Sequence, residues 1–532
     1  MAPINWFLVA VAVGCGAVHP AAESAATPNI IFLHVDSMDG RTALEDSPAL
    51  TPNLDKLAKR GVRFDNTYCA APECVPSRSA LWSGRRPDQT GVWANGHGLP
   101  PDYPIIMEQV GKVGYDTEFI GRHDFNSGHH SLSANLSTWV RPVPGFAIPS
   151  EDRPFPSVHD SQTVRFHGGD WANADKCIEW LKGRQNNTTP FMLSCGFGCP
   201  HPGYSTSQYW LTTGVNKTRI TLPQWKAESE MHPVQLYETI TKNCSGNWST
   251  EEVHDIRAVY YAMVAEADGF VGSILDTIGS SSSLLNNTMV VFWSDHGDMT
   301  MDHKQFYKET ALEGSARVPL IIAGPPGSGI RKGSTVQRAT SLIDLFPTVM
   351  DLAKAQHPTG LAGYSLLPDL MNASSMHAWL NDDSSARVSE SRFDELMADP
   401  HPDYVLLQAH MDHSSTGQFM LRQNNWKYIE YAGGYDPELF DLDTDPNELN
   451  SVATSQTTVL SQMKALLRTL LDPDEVDAQA KAFDKQSFAT WKESLGDKYN
   501  STIGSKNIRW HWSWQKNPEL YLSLIDKWLN SK

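Results

Sequence analysis

A chain of 532 residues is too long for one compact core, which predicts one large domain and a smaller one. Hydrophobic residues at 40% and charged residues at 20% are ordinary for a soluble globular protein. A formal net charge of −18 argues against a nucleic-acid partner, which needs a basic surface, and leaves any anionic substrate to a local basic cluster.

The N-terminal stretch MAPINWFLVAVAVGCGAVHPAAESAA holds an apolar run from Trp6 to about Val18, then small residues. This is the pattern of a secretory signal peptide over residues 1–25, and the run falls short of the roughly 20 residues a membrane span needs. No later stretch reads as a span. Sequons at Asn135, Asn186, Asn187, Asn216, Asn243, Asn247, Asn286, Asn372 and Asn500 support a secretory route. Past the signal, Cys69, Cys74, Cys177, Cys195, Cys199 and Cys244 form an even set that could pair fully in an oxidising compartment.

PNIIFLHVDS reads as a buried strand, and TPNLDKLAKRGVRF as an N-capped amphipathic helix ending at Gly61. TEFIG, FMLSCGF, TMVVFWSDHGD and VPLIIAGP are further continuous apolar runs, which suit a parallel sheet covered by helices on both faces. EEVHDIRAVYYAMVAEADGFVGSILDTIG reads as a long helix ending at Gly279. Strands alternating with helices predict a doubly wound α/β domain over residues 26–385. From 386 to 532 the character changes to a smaller α+β domain. There, QFMLRQNNWKYIEYAG reads as a hairpin turning at Gln423 to Asn425 and VLSQMKALLRTLL as an amphipathic helix. The tail IRWHWSWQKNPELYLSLIDKWL is expected to pack back on the body, because a row of exposed tryptophans is costly.

Two predicted strands end in acids: HVDSMDG supplies Asp36 and Asp39, and WSDHGD supplies Asp295, His296 and Asp298. In open α/β sheets ligands sit beyond the carboxyl ends of the strands. A single aspartate there would simply cap a helix, but two strand-end clusters point to a hard cation held by oxygens. PSRSALWSG reads as a helix start with Pro76 in its first turn. Free N–H groups at such a terminus attract an anion, and Arg78 adds a cation that can hold an oxyanion or orient Cys74.

Cys-x-Pro-Ser-Arg followed by SALWSGRRP resembles the signature of the type I sulfatases, in which the cysteine is oxidised to Cα-formylglycine. Cys74, Pro76, Ser77, Arg78, Gly84 and Arg85 fall where that family has them, whereas Cys69 does not fit. PNIIFLHVD, SDHGD, KETALEGSARVPLII, SLIDLFPTVMDLA, GYSLLP and NNWKYI extend the resemblance over nearly the whole mature chain. The resemblance implies an alkaline-phosphatase-like α/β fold and a sulfate-ester hydrolase of the lysosome or the cell exterior, modified by a formylglycine-generating enzyme. In that chemistry one hydroxyl of the hydrated aldehyde attacks sulfur and displaces the alcohol. The other lets the bond to sulfate break, where a serine would remain a stable sulfate ester.

Carried over by position, Asp36, Asp295 and His296 match metal ligands, with the modified Cys74 completing the site and Ca²⁺ as the expected ion. Ser37 stands where many members have a second acid, with Asp39 nearby. Arg78 matches the arginine that orients formylglycine, and Lys308 in YKETALEG the sulfate-binding lysine. His201 in CPHPG matches the Pro-His-x-Pro site and His232 in EMHP a substrate-side histidine. The family's Gly-Lys pair reads Gly121-Arg122, which keeps the charge but not the geometry. His123 or His129 would then serve where other members place a histidine, while Asp268, mid-helix in AEADGF, is expected to pack or cap.

The implied substrate is the 2-O-sulfate of glucuronate in glycosaminoglycans such as heparan sulfate, removed from a chain end. Other sulfated sugars or aryl sulfates are alternatives. A phosphatase or phosphodiesterase of the same superfold would want a serine or threonine nucleophile and more zinc ligands. A non-catalytic glycan-binding protein would keep Cys74 as a thiol.

Overall fold

The computed structural model describes residues 27–126, 132–143, 145–149, 152–381, 391–398, 401–508 and 510–531. The expected signal peptide, the expected boundary at residue 386 and His129 lie outside the described residues. The strands in chain order are β1 (Asn29–Val35), β2 (Val62–Tyr68), β3 (Asp116–Gly121), β4 (Ser157–His159), β5 (Phe191–Gly196), β6 (Ser205–Ser207) and β7 (Thr288–Ser294). They continue with β8 (Arg317–Ala323), β9 (Ser334–Val336), β10 (Thr340–Ser341), β11 (Tyr404–Ala409), β12 (Gln418–Gln423), β13 (Trp426–Tyr431) and β14 (Glu438–Asp441).

The main sheet has the order β10-β2-β8-β7-β1-β5-β3, with β9 beside β2. Alternate residues of β1 feed opposite faces, as a pleated strand requires. Ile30 and Phe32 pack with Trp82, Met192 and Val291. Ile31, Leu33 and Val35 pack with Val259, Met263 and Phe270 on the other side. The sheet is mixed, not all parallel: β8 runs antiparallel to both β7 and β2. A strand buried on both faces is apolar throughout whichever way it runs, so the run VPLIIAGP carried no sign of direction. The run TEFIG differs from expectation as well. It forms edge strand β3, with β5 as its ladder partner, and Thr117, Glu118 and Gly121 are exposed.

Helix Thr250–Ser280 covers the second face, capped by Ser249 and Glu252 bonding each other's backbone amides. It is long and apolar enough to cross a membrane, yet it lies buried in the core against β1 and β7. Its Asp268 accepts the amides of Asn53 and Leu54 at 3.1 and 2.8 Å, and so caps helix Pro52–Arg60. Capping was the expected use of that acid. One disulfide, Cys177–Cys195, ties helix Gly168–Arg184 to β5. Cys69, Cys74, Cys199 and Cys244 are buried free thiols, so the even set does not pair fully.

β11 to β14 form a separate antiparallel sheet. Gln423 pairs with Trp426 around a two-residue turn at Asn424 and Asn425, and Asn424 takes the left-handed φ of 51° that such turns demand. Val405, Leu407, Met420 and Ile429 share one core with Phe64 and Val318 of the main sheet. The tail does fold back: Trp510 and Trp514 are buried with Phe146, Phe488 and Ile525.

Candidate active site

The carboxyl ends of β1 and β7 lie side by side, with Val35 opposite Ser294. The next residue of each strand is an aspartate, so Asp36 and Asp295 leave the sheet at one point, both fully buried. Helix Cys74–Ser83 begins beside them and is buried along its whole length. It starts at Cys74, ahead of Pro76, whose missing N–H costs nothing in a first turn. Gly84 closes it with φ 66°. The Val75 amide is taken by Asn95 Oδ1 at 2.9 Å, so positive charge at this end comes chiefly from side chains and not from free amides.

Ligand atoms of Asp36, Cys74, Asp295 and His296 all lie within 4.8 Å of one another. Arg78, also fully buried, donates through Nε to Asp295 at 2.8 Å and through Nη2 to Asp36 at 3.0 Å. Ser37 occupies the expected second-acid position. Its hydroxyl donates to Asp36 at 3.0 Å and its amide to Asp295 at 3.2 Å. Asp39 does not substitute for a second acid, because its carboxylate is held by Arg41 at 2.6 Å.

Around the Cys74 thiol stand His296 Nε2 at 3.3 Å, Lys308 Nζ at 3.4 Å and Arg122 Nη2 at 3.9 Å. Arg122 leaves the sheet at the end of β3, through Gly121 at φ 88°, where a side chain would collide with the Gly196 carbonyl. Its fork also reaches Asp36 Oδ2 at 3.2 Å and Asp124 Oδ2 at 2.6 Å. Lys308 comes from the loop between β7 and β8. Because β8 runs antiparallel, residues 295–316 stay at the carboxyl edge of the sheet. His201 sits against Lys308, Nε2 to Nζ 2.8 Å, and its Nδ1 lies 2.5 Å from the Pro202 carbonyl oxygen. An ammonium can only donate, so Nε2 is the acceptor and the ring proton sits on Nδ1.

Burial alone would raise the Asp36 pKa, but Arg122 and Arg78 overrule it and hold the carboxyl well below the usual range. Burial likewise opposes the Lys308 ammonium, and the neighbouring Cys74 side chain and Asp36 more than offset it. Burial lowers the His296 pKa, which favours the neutral imidazole that a metal requires. Two carboxylates and an imidazole converging on residue 74 form a donor set that fits a hard divalent cation.

The Sulfatase family model matches residues 28–355. The chain belongs to the sulfatase family. It is similar to arylsulfatase K of Xenopus laevis, 39% identical over 522 residues, covering 94% of this chain and 93% of the relative. It is 36% identical over 550 residues to arylsulfatase K of Homo sapiens, covering 99% and 98% respectively. Among solved structures, a 2-O GAG sulfatase aligns at a TM-score of 0.61 and 25% identity, over 84% of this chain and 92% of that one. This sulfatase is accordingly a sulfuric ester hydrolase.

Of the residues read from its sequence, Asp36, Cys74, Arg78, Arg122, His201, Asp295, His296 and Lys308 come together. His232 caps helix Pro233–Thr241, stacks on Tyr431 with ring centroids 4.1 Å apart and meets the Asp436 carbonyl oxygen at 2.9 Å. No described hydrogen bond joins it to the cluster. His123 packs edge-on to His34 and Phe119, and its Nε2 lies 3.2 Å from Ser194 Oγ, while burial lowers its pKa to about 4. Sequence reasoning missed Asn95, Asp124 and Lys242. Asp124 had a local signal, an acid two positions after Arg122, whereas Asn95 and Lys242 are joined to the site only by the fold.

Proposed function

We propose that this sulfatase uses a formylglycine made from Cys74 and a bound Ca²⁺ to remove 2-O-sulfate from terminal glucuronate of glycosaminoglycans, in the lysosome or after secretion. The observation that carries the chemistry is residue 74 itself, with a metal-type donor set on one side and Lys308 and Arg122 on the other. The Cys74 sulfur stands where the oxygens of the hydrated aldehyde would be. The substrate reading is supported by likeness to arylsulfatase K and to a 2-O GAG sulfatase.

Asp36, Asp295, His296 and residue 74 would hold the cation, which supplies a Lewis acid that lowers the pKa of a coordinated hydroxyl and draws charge from a sulfate oxygen. Arg78 bonds both carboxylates and aims them inward. Arg122 and Lys308 place two cations where negative charge grows on the sulfuryl oxygens. His201 accepts from Lys308 and keeps that ammonium over residue 74. Cys74 is 0% exposed, so a modifying enzyme must reach it before the chain folds.

Peptide mass spectrometry of the fragment holding Cys74 tests this reading. Aldehyde in place of thiol is expected in protein from its natural source, and intact thiol throughout would sink it. Cys74→Ala should fold yet release no sulfate from a 2-O-sulfated glucuronate disaccharide. Turnover of 6-O-sulfated glucosamine, with none of the 2-O-sulfated uronate, would overturn the substrate assignment alone.

A further inference from the structure

Lys242 is fully buried at the end of helix Pro233–Thr241. Its ammonium donates to Gln305 Oε1 at 3.2 Å and to the Lys308 carbonyl oxygen, and lies 3.5 Å from Glu309 Oε2. All three partners belong to the loop that presents Lys308.

That loop has an unusual backbone. Tyr307 and Glu309, on either side of Lys308, have φ of 65° and 70°. Thr300, Met301, His303 and Lys304 are also left-handed, at 45°, 72°, 51° and 57°. Such a backbone is strained in a non-glycine residue and persists only where its surroundings over-determine it. Main-chain bonds from Met299 to Tyr307 at 2.6 Å and from Glu309 to Pro72 at 3.0 Å pin parts of the loop. Lys242 pins the stretch from 305 to 309. It is backed by Gln305 donating to Glu238 at 3.0 Å, and by Gln418 of β12 donating to the same carboxyl at 2.5 Å while accepting the Ala311 amide at 3.2 Å.

We propose that Lys242 is a positioning residue for sulfate hydrolysis. It sets the main chain of residues 305–309 so that the Lys308 ammonium stays 3.4 Å from the side chain of residue 74 and 2.8 Å from His201. The inference rests on the reading of Lys308 as a sulfate anchor.

The test uses the full-length enzyme with a sulfated disaccharide substrate. Lys242→Met removes the donor but leaves Glu309 buried without its cation. A second variant, Lys242→Met with Glu309→Gln, removes both charges and is expected to recover the parent melting temperature. Both should lose about 10²-fold in kcat/KM, the scale of a 1 Å misplacement of a catalytic group. Added to Lys308→Ala, Lys242→Met should change kcat/KM by less than about twofold, because its effect passes through Lys308. Losses that multiply in the Lys308→Ala background would overturn the proposal. So would activity that returns together with the melting temperature in the Glu309→Gln variant. A Lys308→Ala enzyme as active as the parent would refute the anchor reading itself, and is distinguishable because Lys242 is intact there.

Discussion

Replacing Arg122 by lysine asks whether the fork or only the charge is used. Arg122 reaches Asp36 at 3.2 Å, Asp124 at 2.6 Å and the residue-74 side chain at 3.9 Å. A lysine keeps the charge but offers a single point, so aiming it at Asp36 and the sulfate abandons Asp124. A hydrogen bond to a charged group is worth about 1.5–3 kcal/mol. The Arg122 and Asp124 side chains are 28% and 32% exposed, and solvent screening places this bond at the low end. About 1.4 kcal/mol corresponds to a tenfold fall in kcat/KM. Arg122→Ala removes the cation as well and should cost roughly 10²–10³-fold, the scale of losing one oxyanion donor. Initial rates of sulfate release from a 2-O-sulfated glucuronate disaccharide measure both. A lysine variant equal to the parent would show that the fork is unused, and equal losses for lysine and alanine would show that the charge contributes nothing.

Chelation should lower both activity and melting temperature, with Ca²⁺ at about 100 times its dissociation constant restoring about 2.7 kcal/mol of stability; recovery by Zn²⁺ alone would contradict an oxygen-dominated site. Burial pushes the pKa of Glu238, Asp268 and Asp484 up to about 7. Their unfolded values are about 4, so each contributes stability that is fully present below about pH 4 and lost as pH rises through about 7. Burial lowers His410 to about 3, and its contribution runs the other way, present above about 6.5 and lost as pH falls. Melting temperature should therefore rise as pH falls from about 8 towards 4, less steeply below about 6.5 where His410 opposes the three acids, with a shallower rise in Asp484→Asn; a maximum near pH 8 would contradict these assignments. Given the net charge of −18, kcat/KM on an oligosaccharide carrying several sulfates should rise as salt increases from about 10 to 100 mM, and a steady fall would indicate surface steering instead.

The legible parts of this molecule are those encoded within one short segment. The ends of β1 and β7 announced their acids, and the stretch from Cys74 to Arg85 announced the residue at the centre of the site. The turn at Asn424 and Asn425 and the long capped helix were equally local. Strand direction was not, because β8 has the same apolar run in either orientation. Nor was the supporting layer. Asn95, Lys242 and Gln418 are ordinary polar residues until the fold brings them to the Val75 amide, the Lys308 carbonyl and Glu238. Cys69, five residues before Cys74 but outside the signature, is a buried free thiol whose pKa burial drives upward.

A protein of net charge −18 can still select an anion if the binding charges are withdrawn from solvent. Arg78 and Lys308 are buried and Arg122 is 28% exposed, so their field acts through protein and not through salt water. The surface acids act across solvent, where screening cuts them off within about 8 Å at physiological ionic strength. Three cations, Arg78, Arg122 and Lys308, meet three carboxylates, Asp36, Asp295 and Asp124, an even balance before any metal is counted. A sulfate monoester adds one negative charge to that balance. A divalent ion would leave a surplus to absorb charge developing in the transition state. Depth therefore sets the electrostatics of this pocket, and net charge does not. The proposed exo-acting reading is compatible with this arrangement: one sulfate at a chain end would enter the pocket, while the remaining anionic groups of a glycan would gain nothing from the surface outside it.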